Sequence, residues 1–208
     1  MTKQYGNWCK HLPSKYRDGE GNKYCILHLP KWDLNEFNEL IYDEIDLAWE
    51  ESRPCDLSGT VFQGAISFSR YDKDHPLPEL NLNDAIFIGG ADFSKTRFGG
   101  KTGFRKTNFQ GATTFEDAVF DDEVHFEEAH FRGETSFDRT EFKGKARFFD
   151  STFEQKVTFE KAVFWKEMYL SWGSFKAGAE LGSVTYHTNP VLKRPPFGSN
   201  TVMNTEKK

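Results

Sequence analysis

Two short pairs near the N-terminus carry the side chains best suited to holding a metal. Cys9-x-His11 and Cys25-x-x-His28 stand thirteen residues apart and together offer two thiolates and two imidazoles, a donor set that suits tetrahedral zinc. With every position taken by the protein, such a zinc would be structural rather than catalytic. The same four side chains also suit a metal-free cluster packed around Trp8 and Tyr24. The third cysteine, Cys55, makes the set odd, and the N-terminus lacks the apolar stretch of an export signal. Free thiols or metal ligands are therefore expected rather than a disulfide framework, with the cytoplasm as the default compartment.

A second concentration of chemistry lies at Glu116, Asp117, Asp121, Asp122, Glu123, Glu127 and Glu128, seven acids with no base between them. Paired carboxylates of this kind could cleave a polysaccharide by acid–base catalysis. His125 and His130, each just before a Phe, add imidazoles that read as exposed surface groups, a surface metal site being the alternative. No phosphate-binding loop, dinucleotide fingerprint or nucleophile elbow accompanies them. The net charge of -5 and the lack of a basic arm argue against direct binding to nucleic acid. No run approaches the ~18 apolar residues of a membrane span.

These residues must be positioned by something, and the spacing of the Phe residues says what. From Phe87 the large apolar positions fall at Phe93, Phe98, Phe104, Phe109, Phe115 and onward to Phe164, in steps that alternate six and five. The pattern extends back to Leu57 and forward to Tyr186, so the unit is eleven residues. On a helix, at ~100° per residue, a five-residue step would swing the next ring out of any common stripe. On a flat strand it would send successive rings to opposite faces. A chain that turns a corner once per half-unit keeps every ring pointing to one axis. The position two before each ring tests this and is always small or β-branched, as in Ala91, Thr96, Thr102, Thr107 and Thr113. Phe occurs 21 times, so the 37% hydrophobic content is concentrated in one large ring type rather than deficient.

Units such as GATTFEDAVF (111–120) and EKAVF (160–164) resemble those of the pentapeptide-repeat family in its Phe-rich form. The resemblance covers about two thirds of the chain. It implies an all-β solenoid, a right-handed quadrilateral parallel β-helix with one half-unit per side, here with 22 residues per coil where the usual pattern implies 20. Residues 22 apart should then lie one strand spacing, ~4.8 Å, above one another. That register stacks Lys106 under Glu128 and Asp117 under Arg139, and it leaves one uniformly acidic column, Glu116, Asp138 and Glu160, that removal of Asp138 should relieve. With cations beside most of the seven acids, no enzyme is expected.

The expected organisation is a Cys/His segment at 1–32, an amphipathic capping helix at 33–53, the β-helix at 55–187 and an extended or disordered tail at 188–208. Phe68 to Leu82 spans three residues too many, so 69–80 reads as a protruding loop. Its Asp72, Asp74 and His75 are candidate partner contacts, as are Glu116, Asp138 and Glu160. The function expected is a scaffold for protein–protein interaction, with an open β-helix end available for a homodimer. The family resemblance supplies a second reading, an acidic DNA mimic that binds a type II topoisomerase such as gyrase. Residues 85–187 hold 16 acids and 14 bases, a weak excess for that role. The segment YCILHLPK also resembles a Cys-x-x-His stretch that precedes Phe-rich repeats in other bacterial proteins, which implies a structural role. Protein purified without added metal is expected to contain about one zinc per chain, by elemental analysis, and to melt lower after chelation. A metal-free chain with an unchanged melting temperature would exclude the site.

Overall fold

The computed structural model describes residues 34–170, 173–191 and 206–207. Cys9, His11, Cys25 and His28 lie outside them. Leu34–Glu50 form a helix whose apolar stripe, Phe37, Leu40, Ile41, Ile45 and Ala48, is buried. The helix stops where Ser52, at φ 51°, turns the chain left-handed. The N–H of Arg53 then donates to the Ala48 carbonyl at 2.9 Å and that of Ser52 to the Trp49 carbonyl at 3.0 Å, satisfying carbonyls the helix leaves open. The stripe covers the first coil: Phe37 packs edge-on against Phe62, and the Tyr42 hydroxyl donates to the Ser67 carbonyl at 2.7 Å.

Beyond the helix the chain winds through short parallel strands that stack into four sheets, the sides of a solenoid. Side one runs from Cys55–Asp56 through Val124–His125 to Met168–Tyr169, and side two from Val61–Phe62 to Ser174–Phe175. Side three runs from Ile66–Ser67 through Thr113–Thr114 to Ala179–Glu180. Side four starts at Arg97–Phe98, ends its repeats at Thr185–Tyr186, and gains Glu206–Lys207 as a last strand. Ladder partners stand two sequence units apart, as in Thr113↔Thr135 and Phe120↔Phe142, which is the coil length that the Phe spacing requires. The ladder continues past the repeats, because Val191 pairs with Tyr169, so the tail expected from 188 begins by extending side one.

Inside, the rings form vertical columns. Phe131 stacks on Phe109 at 4.7 Å and on Phe153 at 4.5 Å, with interplanar angles of 8° and 5°. Neighbouring columns meet edge-on, as Phe131 does with Phe137 at 76°. Two kinds of corner alternate. After Leu82, Phe93, Phe104 and each eleventh residue onward, a tight turn closes with a bond such as Thr107 N–H to the Phe104 carbonyl at 3.2 Å. Its third residue is left-handed: Asp84, Lys95, Lys106, Asp117, Glu128, Arg139, Asp150 and Lys161 all have φ between 56° and 59°. None is glycine. The other corner holds the extra residue of the six-residue step.

The insertion is only partly a protruding loop. It makes the first coil longer than the others, as the pairing Cys55↔Leu80 shows, and the added length replaces the first strand of side four. Tyr71 and Leu77 are buried there and supply carbonyls to the N–H groups of Arg97 and Gly99 at 2.7 and 2.9 Å. Asp72, Lys73 and Asp74 between these two anchors are exposed, because the open edge of the second coil needs those acceptors and draws Tyr71 and Leu77 inward.

Phe131→Ala should cost about 3–5 kcal/mol, since the ring has stacked neighbours above and below. Asp138→Ala is not the relief that its column implies, because Asp138 Oδ1 accepts the Glu160 N–H at 2.8 Å. Its loss should cost about 0.5–1.5 kcal/mol. Urea unfolding of both variants checks the inward and outward assignment, which equal effects would contradict. Asp150→Gly, at a left-handed corner, should raise stability by about 0.5–1 kcal/mol by removing a Cβ that disfavours this conformation.

Candidate functional site

Outward side chains decide what the solenoid can touch. On side three they are short: Ser67, Asp92, Thr114, Ser136 and Thr158 follow one another up five coils. The corner before them contributes Gly90 and Ala112, then Glu134 and Lys156. The result is a shallow groove of about 760 Å³ whose floor is hydroxyls and methyls and whose far rim begins at Glu116. Its near end lies beside the helix, where Asn38 Nδ2 donates to the Ala65 carbonyl at 3.1 Å. The floor is tied by its own bonds, with Ser67 Oγ donating to Asp92 Oδ2 at 2.9 Å and Ser94 Oγ to Asp92 Oδ1 at 2.6 Å. Burial works against ionisation of Asp92, but these hydrogen bonds outweigh it and hold the carboxyl below its ordinary range.

Of the column Glu116, Asp138 and Glu160 only Glu116 lines this groove, the other two following it at the same corner of the next coils, and the column is less bare than its own register implies. Arg139, one residue beyond the column, bridges Glu116 and Asp117, with Nε 2.7 Å from Asp117 Oδ1. Lys161 Nζ lies 3.5 Å from Glu160 Oε1. Hydrogen bonding from Arg139 holds Asp117 below the usual carboxylate range.

The remaining acids of the 116–128 cluster, Asp122 excepted, also have basic partners. Asp121 receives Arg97 at 2.6 Å and Lys143 at 3.1 Å, and Glu128 lies 3.6 Å from Lys106. His125 stands between two carboxylates, with Nδ1 3.0 Å from Glu127 and Nε2 3.4 Å from Glu123. With 15% of its side chain exposed it is not the open surface histidine that the sequence implies. The two acids face opposite edges of its ring and so share no common centre for a metal. His130 contacts Glu154 at 2.6 Å, a coil-to-coil pair that spacing alone assigns to Arg132. The nearer imidazole supplies the same hydrogen bond.

The three loop candidates do not form one surface. Asp72 Oδ1 accepts the N–H groups of Asp74 and His75 at 2.9 and 3.3 Å, which keeps its carboxyl below the ordinary range. His75 turns inward onto the helix, its ring 4.4 Å from that of Trp49 and its Nε2 3.5 Å from Asp46. Arg70 lies over the Tyr42 ring at 4.8 Å. The insertion thus latches the helix to the first coil. The groove was not singled out from the sequence, although a signal existed in the short polar residues that follow each small inward residue of side three.

No described helix is long and apolar enough to cross a membrane. A family model for pentapeptide repeats in nine copies matches residues 82–130 and, one eleven-residue unit later, 93–141. No curated protein and no solved structure is significantly similar to the chain. The family match and the Phe-lined four-sided coil agree: residues 82–141 carry the repeats of the pentapeptide-repeat family, and the same coil continues on either side of them.

Proposed function

We propose that this chain is a non-enzymatic scaffold that holds a protein partner against the outside of a rigid solenoid. The observation that carries the reading is the side-three groove, five coils long, framed by corners whose positions the Phe columns set. Rigidity of this kind lowers the ordering cost of binding on the scaffold's side. Carboxylates held in ion pairs from coil to coil serve as register rather than as acid–base catalysts, which supports the non-enzymatic part of the reading. The acidic column weighs against DNA mimicry, since Arg139 and Lys161 sit beside it.

Full-length protein carrying a photo-reactive residue at Ser136, Lys73 or Asn108 tests this in extract of the native host. A saturable adduct to one protein at Ser136, reproduced with that protein purified, is expected. Absence of any saturable adduct at all three positions would overturn the scaffold reading. Gyrase supercoiling is expected to be unaffected by micromolar protein, and inhibition abolished by reversing Glu116, Asp138 and Glu160 would establish mimicry instead.

A further inference from the structure

We propose that the side-three groove takes an extended, lysine- or arginine-bearing segment of the partner, laid along the solenoid axis; this rests on the scaffold reading above. Length agrees first. Four strand spacings separate Ser67 from Thr158, roughly 19 Å, which an extended chain covers in about six residues. Such a segment crosses the strands at right angles, and their N–H and C=O groups already point along the axis into the ladders. It therefore adds no strand and is recognised through side chains and the floor hydroxyls.

Charge then selects the segment. Most acids of the repeats have a cation within 4 Å, yet Asp92 and Glu134 in the groove and Asp138, two residues past Ser136 at the corner beyond it, have none among the described residues. Lys156 is the one base lining the groove, and it is paired at 2.9 Å with Glu180, which follows Thr158 at the far end of side three. Its ammonium is favoured first by that hydrogen bond and further by Glu134 and Asp138, so the wall already stabilises a cation. Asp92 and Asp138 stand two coils apart, about 10 Å. Alternate residues of an extended chain repeat every ~6.7 Å, a mismatch that long flexible basic side chains absorb. A partner bearing cations at alternate positions turns all of them to the groove, with small residues between them facing solvent, and meets all of these conditions.

The probe is a fluorescent octapeptide alternating Lys and Ser, with a Glu–Ser peptide as its opposite, read by anisotropy on the full chain. Saturable binding of the Lys peptide alone is expected. The triple variant Asp92→Asn, Glu134→Gln, Asp138→Asn should weaken it about tenfold, and Ser136→Trp should block it. A second triple, Asp84→Asn, Asp122→Asn, Asp150→Asn, removes the same charge from unpaired acids at corners away from side three and should change binding less than about twofold. Equal loss from both triples would reduce the attraction to diffuse charge and overturn the proposal, as would equal binding of the Glu peptide. An intramolecular cross-link from position 136 to residues 1–33 would overturn it in favour of the chain's own N-terminal segment. A host partner that stays bound to the first triple variant would refute the groove while leaving the scaffold reading intact.

Discussion

The structure depends on a coincidence of lengths. Parallel strands in a ladder sit ~4.8 Å apart, and aromatic rings stacked face to face are comfortable at nearly the same distance. Centroid separations within the columns, such as 4.3 Å for Phe98 and Phe120 and 4.9 Å for Phe104 and Phe126, show both spacings met at once. A Phe in each half-unit can therefore stack without bending the backbone, and the columns lock against each other edge-on. An aliphatic side chain, as at Leu82 and Leu170, fills less of the section. The small inward residues, including Thr107 and Thr140, fit in the remaining layer. The hydroxyls of these two reach carbonyls of the preceding coil at 2.8 and 2.7 Å, whereas those of Thr60 and Thr96 are buried with no hydrogen-bond partner among the described residues.

Because the interior fixes every coil to the same section, the exterior is free to vary, and it varies in a regulated way. Charges line up from coil to coil and pair across one spacing. Exposed pairs of this kind contribute about 0–1 kcal/mol each, too little to hold a fold but enough to penalise a slipped register. The left-handed corners follow the same logic. Eight residues with side chains accept a conformation that favours glycine, and every one recurs at the eleven-residue interval, so their strain is distributed evenly and outweighed by the stacking beneath it.

What the sequence revealed and what it concealed divide along the axis of the solenoid. The coil length, the inward residues, the capping helix and pairs such as Asp117 with Arg139 were all legible, because each follows from a repeat counted along one chain. Diagonal contacts were not. Arg139 reaching back to Glu116, and His130 taking Glu154 in place of Arg132, depend on side-chain reach between adjacent columns, which spacing does not encode. The extra length of the first coil was legible in the count from Phe68 to Leu82, but its inward anchors Tyr71 and Leu77 answer to the unpaired edge of the next coil. The groove was hidden for another reason. It is made by short residues, and a search for chemistry passes over Ser67, Thr114 and Ser136 in favour of carboxylates.

The uniform spacing of partners from Leu80 onward makes the molecule a ruler graduated in single coils. Removing or duplicating one whole coil, from Thr113 to its ladder partner Thr135 or from Thr135 to Val157, leaves every remaining ring above a ring and every corner above a corner. A block that is not a whole number of coils shifts side chains to new faces. Evolution can therefore lengthen or shorten the rod only in increments of ~4.8 Å, and any face that runs along it changes its reach by the same increment. The first coil, lengthened by its insertion and bound to the helix, is the fixed zero of that scale.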